Sequence, residues 1–300
     1  MSAHPTAIID PKARIAESAE IGPYCVVGAD VEIGARTRLM ANVYLEGRTS
    51  IGDDNLFYPY TTVGVAPQDL KYKGEVSETR IGSRNKIREF VTIHRGTQGG
   101  GMITRIGDDI LLMAYVHVAH DASIGNGVIM GNAATLAGHV TVGDHAVIEA
   151  FSGVHQFCRI GRHAFVGGYS VITQDVLPFS STVSERETRI FGANRVGLER
   201  RGFVTETIEQ LQTTFRLLTR AGLNTSQAIE RIRAEVPSSP ELEELIEFIR
   251  SGKRGFVKWN TDSSPAPAGS PSLRSKRLAA WDIRSSSSDC AKKPRRKWRR

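Results

Sequence analysis

Over long stretches every sixth residue of this chain is apolar, and that period constrains the fold more than any other feature. The positions read Ile9, Ile15, Ile21, Val27, Ile33, Leu39, Leu45, Ile51, Phe57 and Val63. The phase resumes at Ile81, Ile87 and Ile93. It resumes again at Ile106 and runs through Leu112, Val118, Ile124, Met130, Leu136, Val142, Ile148, Val154, Ile160 and Val166 to Ile172. Only 40% of the chain is hydrophobic, so chance does not sustain such runs. A glycine often follows, as at Gly22, Gly28, Gly34, Gly52, Gly82, Gly107, Gly125, Gly143 and Gly161. Four residues after the apolar one, small or β-branched residues recur, among them Ala19, Cys25, Val31, Thr37, Ala122, Ala134, Ala146 and Ala164. A period of six is neither the 3.6 of a helix nor the 2 of a strand. It fits a short strand plus a turn, with one large side chain pointing inward per repeat and glycine relieving strain at each corner. Three hexads close a triangular coil, so eighteen residues advance the chain by one strand spacing of about 4.8 Å. The expected fold class is mainly β, a parallel β-helix.

The interruptions divide the chain. From Val63 to Ile81 the phase survives but Gln68-Asp69-Leu70-Lys71-Tyr72 does not fit the hexad. From Ile93 to Ile106 the phase slips by one across Gly99-Gly100-Gly101. Loops are expected near 64–80 and 95–105, either as plain surface insertions or as a lid beside the solenoid groove. The hexads stop after Ile172, which sets residues 1–180 as the β-helix. Ser180 to Arg201 reads as irregular connector. Ile208, Leu211, Phe215 and Leu218 then mark a helix, with Thr205 as N-cap and Gly222 past its end. Ile229, Ile232 and Val236 mark a second, and Ser239-Pro240 opens a third that Gly252 closes. Residues 181–259 are thus connector and small α-helical domain. Residues 260–300, rich in Ser, Pro, Ala, Lys and Arg, read as a disordered basic tail.

That tail accounts for the net charge of +7. It carries 11 of the 39 Lys/Arg and 3 of the 32 Asp/Glu, which leaves 28 basic against 29 acidic residues elsewhere. A nucleic-acid partner is therefore not expected for the body. No apolar stretch approaches a membrane span, and Met1–Pro5 lacks a basic region followed by an apolar core. The three cysteines, Cys25, Cys158 and Cys290, are odd in number and far apart, as suits a reducing cytoplasm.

Stacking the sequence at eighteen residues aligns chemistry. His120, His139 and His155 fall on three successive coils within one residue of the same azimuth, and His117 precedes His120 on its own coil. A metal site, a general base with polar substrate contacts, and a set of exposed corner residues are the three readings of such a cluster. His4, His94, His145 and His163 lack this alignment and read as structural. Asp121 follows His120 directly, but contact between neighbours on a strand needs a turn or another chain. Cys158 sits at the small-residue position and reads as packed, and no G-x-S-x-G accompanies the histidines. Direct transfer remains, with Gly138 on the next coil offering its backbone N–H to an oxyanion.

Six ordered strings narrow the field: Gln68–Tyr72, Thr92-Ile93-His94-Arg95-Gly96-Thr97, His117-Val118-Ala119-His120-Asp121, Asn132–Val140, Val154-His155-Gln156-Phe157-Cys158 and Gly197-Leu198-Glu199-Arg200-Arg201-Gly202-Phe203. Together, over residues 4–259, the chain resembles the UDP-N-acetylglucosamine O-acyltransferase family of left-handed β-helix enzymes. The resemblance implies a cytoplasmic homotrimer with active sites between subunits. Its reaction would move an (R)-3-hydroxyacyl chain from acyl carrier protein to the 3-hydroxyl of UDP-N-acetylglucosamine, the first step of lipid A synthesis. His120 matches the general base, Asp121 its supporting carboxylate and Gly138 the oxyanion amide. Asp69, Lys71, His117, His139, His155 and Gln156 match substrate-contacting positions. Asn194, Arg200 and Arg201 match positions near the nucleotide phosphates, and Gly168 matches the residue that limits acyl length. No metal and no cofactor are implied, because the thioester is already activated. Ser184–Arg189, Val196 and the basic tail depart from the family pattern. Two alternatives stand beside this reading: transfer to a 3-amino sugar nucleotide, and a β-helical enzyme of the zinc carbonic anhydrase kind.

Overall fold

The computed structural model describes residues 1–183 and 189–257. The tail over 260–300 and residues 184–188 lie outside them. Each hexad supplies a short strand, as in Glu20–Ile21, Val26–Val27 and Val31–Ile33, one on each side of a triangle. Like sides of successive coils pair in parallel and build three sheets along the prism. The register advances by eighteen residues, as at Ile8↔Val26, His117↔Thr135 and Thr135↔Gly153. The architecture is a left-handed parallel β-helix followed by a small helical region.

Two steps are longer. Thr62 pairs with Thr92 and Thr92 with His117, steps of thirty and twenty-five residues. The extra residues leave the coil between strands Thr62–Val65 and Glu78–Ile81, and between Thr92–His94 and Ile103–Ile106.

From Ile21 to Ile172 no hexad residue is more than 4% exposed. Each such burial is worth about 1.5–3 kcal/mol, so the column of inward side chains is the principal stabilising element. Ile9 and Ile15 stay partly exposed on the first coil.

The recurrent glycines serve a purpose other than the expected one. They sit where stacked coils touch: a Cβ at Gly22 would lie 1.4 Å from the Met40 carbonyl oxygen, and one at Gly34 2.6 Å from that of Gly52. The corners themselves are mostly non-glycine. At six-residue steps from Asp109 to Tyr169 the backbone is left-handed, with Gly127 the one glycine in that series. Each non-glycine corner costs on the order of 1–3 kcal/mol. Ring stacking between corners of successive coils offsets part of this, at about 0.5–1.5 kcal/mol per aromatic pair. Tyr60, Phe90 and Tyr115 form one such stack at 5.0 and 4.8 Å.

The connector is less irregular than expected. Ser180–Val183 extends the first sheet by pairing in parallel with Phe165–Val166, then pairs antiparallel with Arg189–Ala193. Helix α1 (Arg195–Arg200) follows, capped by Asn194, whose side chain accepts from the Gly197 N–H. Helix α2 (Thr205–Arg220) has Val204 as its N-cap, one residue before the expected Thr205, because the Val204 carbonyl already accepts from the Ile208 N–H. Helix α3 (Thr225–Glu235) starts with a capping box between Asn224 and Gln227. Helix α4 (Pro240–Ser251) has Ser239 as N-cap, proline in its first turn and Gly252 at its end. Phe215, Leu218, Leu245 and Ile246 bury the inner faces of α2 and α4.

Candidate active site

The corner between the second and third sheets carries the histidines. The Asp121 φ of 58° turns its side chain back, so that consecutive residues meet: His120 Nδ1 lies 2.8 Å from Asp121 Oδ2. This is the turn the sequence argument required. The Asp121 side chain is fully buried, and that of His120 is 14% exposed. With a carboxylate at Nδ1, that nitrogen carries the proton and Nε2 is left as the acceptor.

The second insertion holds the carboxylate, and the first braces the second. Thr97 of the second donates its N–H and hydroxyl to Asp121, at 2.8 and 2.5 Å. Gly100 lies so close that a Cβ there would sit 2.0 Å from Asp121 Cγ. Arg95 braces the first insertion by donating to the Tyr72 hydroxyl and the Gly64 carbonyl, at 2.9 and 3.0 Å. The Gln98 N–H donates to Glu75 at 3.1 Å. Each loop therefore supports the other.

Gly138 faces His120 from the next coil. A Cβ at Gly138 would stand 2.5 Å from His120 Cε1 and 2.7 Å from Nε2. Among the described residues no acceptor takes up the Gly138 N–H. His139 packs edge-on against His120 at 5.0 Å, with its Nδ1 3.8 Å from Asp121 Oδ2. Burial pushes the His139 pKa below its ordinary value against the pull of Asp121. Phe157, one coil on, stacks on His139 at 4.4 Å. Asp69 and Lys71 join His139, Phe157, Tyr72 and Thr97 around a cavity of about 590 Å³. The Asp69 carboxylate accepts from the Lys71 N–H at 2.9 Å, which sets the loop's bend.

His117 sits on the second sheet just before this corner, half-buried, with Nδ1 2.7 Å from the Thr92 hydroxyl. Its pKa is lowered by burial and by His120. His155 and Gln156 stand exposed on the following coil, and His155 Nδ1 lies 3.2 Å from the Gln156 carbonyl oxygen. Among the described residues no hydrogen bond or ring contact joins His155 to the other three histidines. Among the described residues, the side chains able to converge on one metal ion are His120, Asp121 and His139, two histidines and a carboxylate.

The remaining candidates stand at other corners of the same chain. Asn194 donates to the His163 carbonyl at 2.9 Å, at the corner between the third and first sheets. Arg201 lies close enough there to lower the pKa of His145 and His163. Arg200 and Arg201 are exposed, as is Val196. Gly168 is at the corner between the first and second sheets, where a Cβ would lie 3.3 Å from the Ala150 carbonyl oxygen. The candidate residues of one chain thus stand at three different corners of the prism.

Known proteins share this fold. The profile described as UDP N-acetylglucosamine O-acyltransferase, domain 2, matches residues 175–257, and that of the bacterial transferase hexapeptide, six repeats, matches 103–138 and 139–174. An acyl-[acyl-carrier-protein]–UDP-N-acetylglucosamine O-acyltransferase of Thermodesulfovibrio yellowstonii is 49% identical over 85% of this chain and 98% of its own length. The chain belongs to the UDP-N-acetylglucosamine O-acyltransferase family. It is an acyltransferase. Family members solved from Bacteroides fragilis and Acinetobacter baumannii superpose with TM-scores of 0.82, at 41% and 42% identity. Each comparison covers 85% of this chain and 99% of the other.

Within this family fold His94, read from the sequence as structural, lies next to the site histidines. It is 4% exposed, packs against His117 at 4.8 Å, and its Nδ1 has no hydrogen-bond partner among the described residues. Burial, with His117 and His120 adding repulsion, pushes its pKa down to about 4. The signal was present: the twenty-five-residue step places Thr92 opposite His117, and the plain eighteen-residue stack does not cross that coil. Thr97 lies on an insertion outside the hexad phase and did not stand out in the sequence, whereas Phe157, eighteen residues after His139, lies in the same stack but is not a histidine.

Proposed function

We propose that this protein transfers an (R)-3-hydroxyacyl chain from acyl carrier protein to the 3-hydroxyl of UDP-N-acetylglucosamine, in the cytoplasm, as the first step of lipid A synthesis. The observation that carries this reading is His120, held by a buried Asp121 at Nδ1 and facing Gly138 at Nε2. His120 Nε2 takes the proton of the sugar hydroxyl as that oxygen bonds to the thioester carbon. The Gly138 N–H stabilises the oxyanion. The tetrahedral centre collapses, the C–S bond breaks, and the departing thiolate receives the proton from His120. No cofactor enters this balance.

Asp69, Lys71, His117, His139, His155 and Gln156 line the acceptor and acyl site. Asn194, Arg200 and Arg201 meet the nucleotide phosphates across a subunit boundary, guanidinium groups suiting that role. Gly168 admits the acyl chain's far end. A homotrimer accounts for candidate residues standing at three corners of one chain. It is supported by an apolar outward row on the first sheet, Leu111, Ile129, Val147 and Phe165, in register on successive coils. The third sheet instead turns Arg80 and Arg105 outward.

The test is transfer by purified protein from (R)-3-hydroxyacyl-acyl carrier protein to UDP-N-acetylglucosamine, followed by mass. His120→Ala is expected to lower the rate about 10²–10⁴-fold, the range of a general base. A mutant at full rate would reject His120 in that role.

A further inference from the structure

The chain's C-terminal strap reaches the active-site corner. Beyond α4, Gly252 to Val257 runs back along the last coil. The Asp175 N–H donates to the Gly255 carbonyl at 3.1 Å, and the Val257 N–H donates to the Asp175 carbonyl at 2.8 Å. Arg159 rivets the same place. It donates to the Asp175 carboxylate and to the Phe248 carbonyl, each at 2.8 Å, and to the Ser251 hydroxyl at 3.1 Å. A Cβ at Gly252 would meet the Arg159 guanidinium at 2.6 Å, so the strap lies tight against this anchor. Gly255 has φ +67°, and this left-handed bend directs the preceding residue onto the coil. That residue is Arg254. Its Nη1 donates to the Gln156 carbonyl at 2.9 Å, across ninety-eight positions of sequence.

Gln156 lies in the middle of the turn that borders the acceptor cavity. His155 Nδ1 is within 3.2 Å of the same carbonyl oxygen. Phe157, the next residue, has φ 64° and lays its ring on His139 at 4.4 Å. His139 packs on His120 at 5.0 Å. The turn's other ties are backbone hydrogen bonds: the His155 N–H donates to the Ile172 carbonyl at 2.8 Å, and the Phe157 N–H donates to the Gly138 carbonyl and the Cys158 N–H to the His155 carbonyl, both at 3.2 Å. Arg254 adds a charged donor on the central carbonyl of this exposed turn, where the backbone ties hold its flanks.

We propose that Arg254 is a positioning residue for the acceptor site: by holding the Gln156 carbonyl it fixes the turn that presents His155, Gln156 and Phe157 beside His139. The helical region thereby takes part in forming a pocket lined by the two insertions and by His139 and Phe157 of the β-helix. The proposal rests on the acyltransferase reading for its kinetic arm only.

The experiment compares full-length Arg254→Ala, Arg254→Lys and Lys253→Ala with the unaltered protein. Lys253 is the exposed neighbour and serves as the charge control. Arg254→Ala is expected to raise KM for UDP-N-acetylglucosamine about tenfold, the scale of one charge-assisted hydrogen bond, with a smaller change in kcat. Arg254→Lys, which keeps a charged donor for a single carbonyl, is expected to recover most of that loss. Lys253→Ala is expected to leave both constants unchanged. A second readout needs no substrate: the ¹³Cε1 signal of His139 is expected to shift in Arg254→Ala, because the Phe157 ring current over it changes. An unmoved signal with an unchanged KM overturns the proposal. So does a loss of thermal stability in Arg254→Ala with KM unchanged, which marks a plain structural strut. Absence of transfer by the unaltered protein rejects the acyltransferase reading instead, and the His139 signal then decides the role of Arg254 alone.

Discussion

Asp121 and His120 illustrate how single residues carry the chemistry. Side chains adjacent in sequence ordinarily point apart on a strand, and only a left-handed corner brings these two into contact. The pairing His120–Asp121 was legible in the sequence. The corner's geometry, and Thr97 as the group that holds the carboxylate, were not. Gly138 is as demanding as the pair itself, since any Cβ there enters the His120 ring. Gly138→Ala is expected to keep the fold and to lose transfer by at least about 10²-fold, comparable with removing an oxyanion donor. Rates alongside circular dichroism check this, and a folded, fully active variant contradicts it. His94 yields a pH prediction. Its folded pKa of about 4 lies below the 6.5 of an ordinary histidine. Between those values the unfolded chain binds more protons, so stability is full above pH 6.5 and falls as pH drops towards 4. The effect is at most about 3 kcal/mol for such a shift. Urea midpoints at pH 7 and pH 5 are expected to converge in His94→Gln relative to the unaltered protein; identical pH slopes contradict the assignment.

Elements of this fold are specified by a period rather than by propensity. Each hexad residue from Ile21 to Ile172 is buried, because a solenoid buries the same position on each side of each coil. Leu136, fully buried between the Val118 and Val154 levels, is expected to cost about 2–5 kcal/mol when replaced by alanine, as cavities in packed cores do. Denaturant unfolding measures this, and a loss under ~1 kcal/mol would show the column to be loosely packed. Where the period ends, the sequence is less informative. The Ser180–Val183 and Arg189–Ala193 pairing read as irregular, since its strands bury one side against α2 and lack the hexad phase. The glycines were recognised but misread. Period marks them, yet only the coil stacking shows that they admit the next backbone instead of bending their own.

At the scale of the whole molecule, the candidate residues of one chain divide among three corners, and the proposed site draws on more than one copy. This yields a complementation test. If the proposed homotrimer forms, His120→Ala and Arg201→Ala chains, each impaired alone, are expected to regain activity when denatured and refolded together, because some boundaries then pair two intact surfaces. Mixtures no more active than the sum of their parts contradict a shared site. In the proposed account the β-helix supplies the groove, the second insertion, braced by the first, holds the Asp121 carboxylate beside His120, and the helical region carries Arg200, Arg201 and the strap. The most direct measurement is a competition. (R)-3-hydroxymyristoyl-acyl carrier protein is given to the protein with UDP-N-acetylglucosamine and its 3-amino analogue together, and the products are identified by mass. The account predicts the 3-O-ester of UDP-N-acetylglucosamine as the main product; an amide as the main product, or no acylated sugar nucleotide at all, contradicts it.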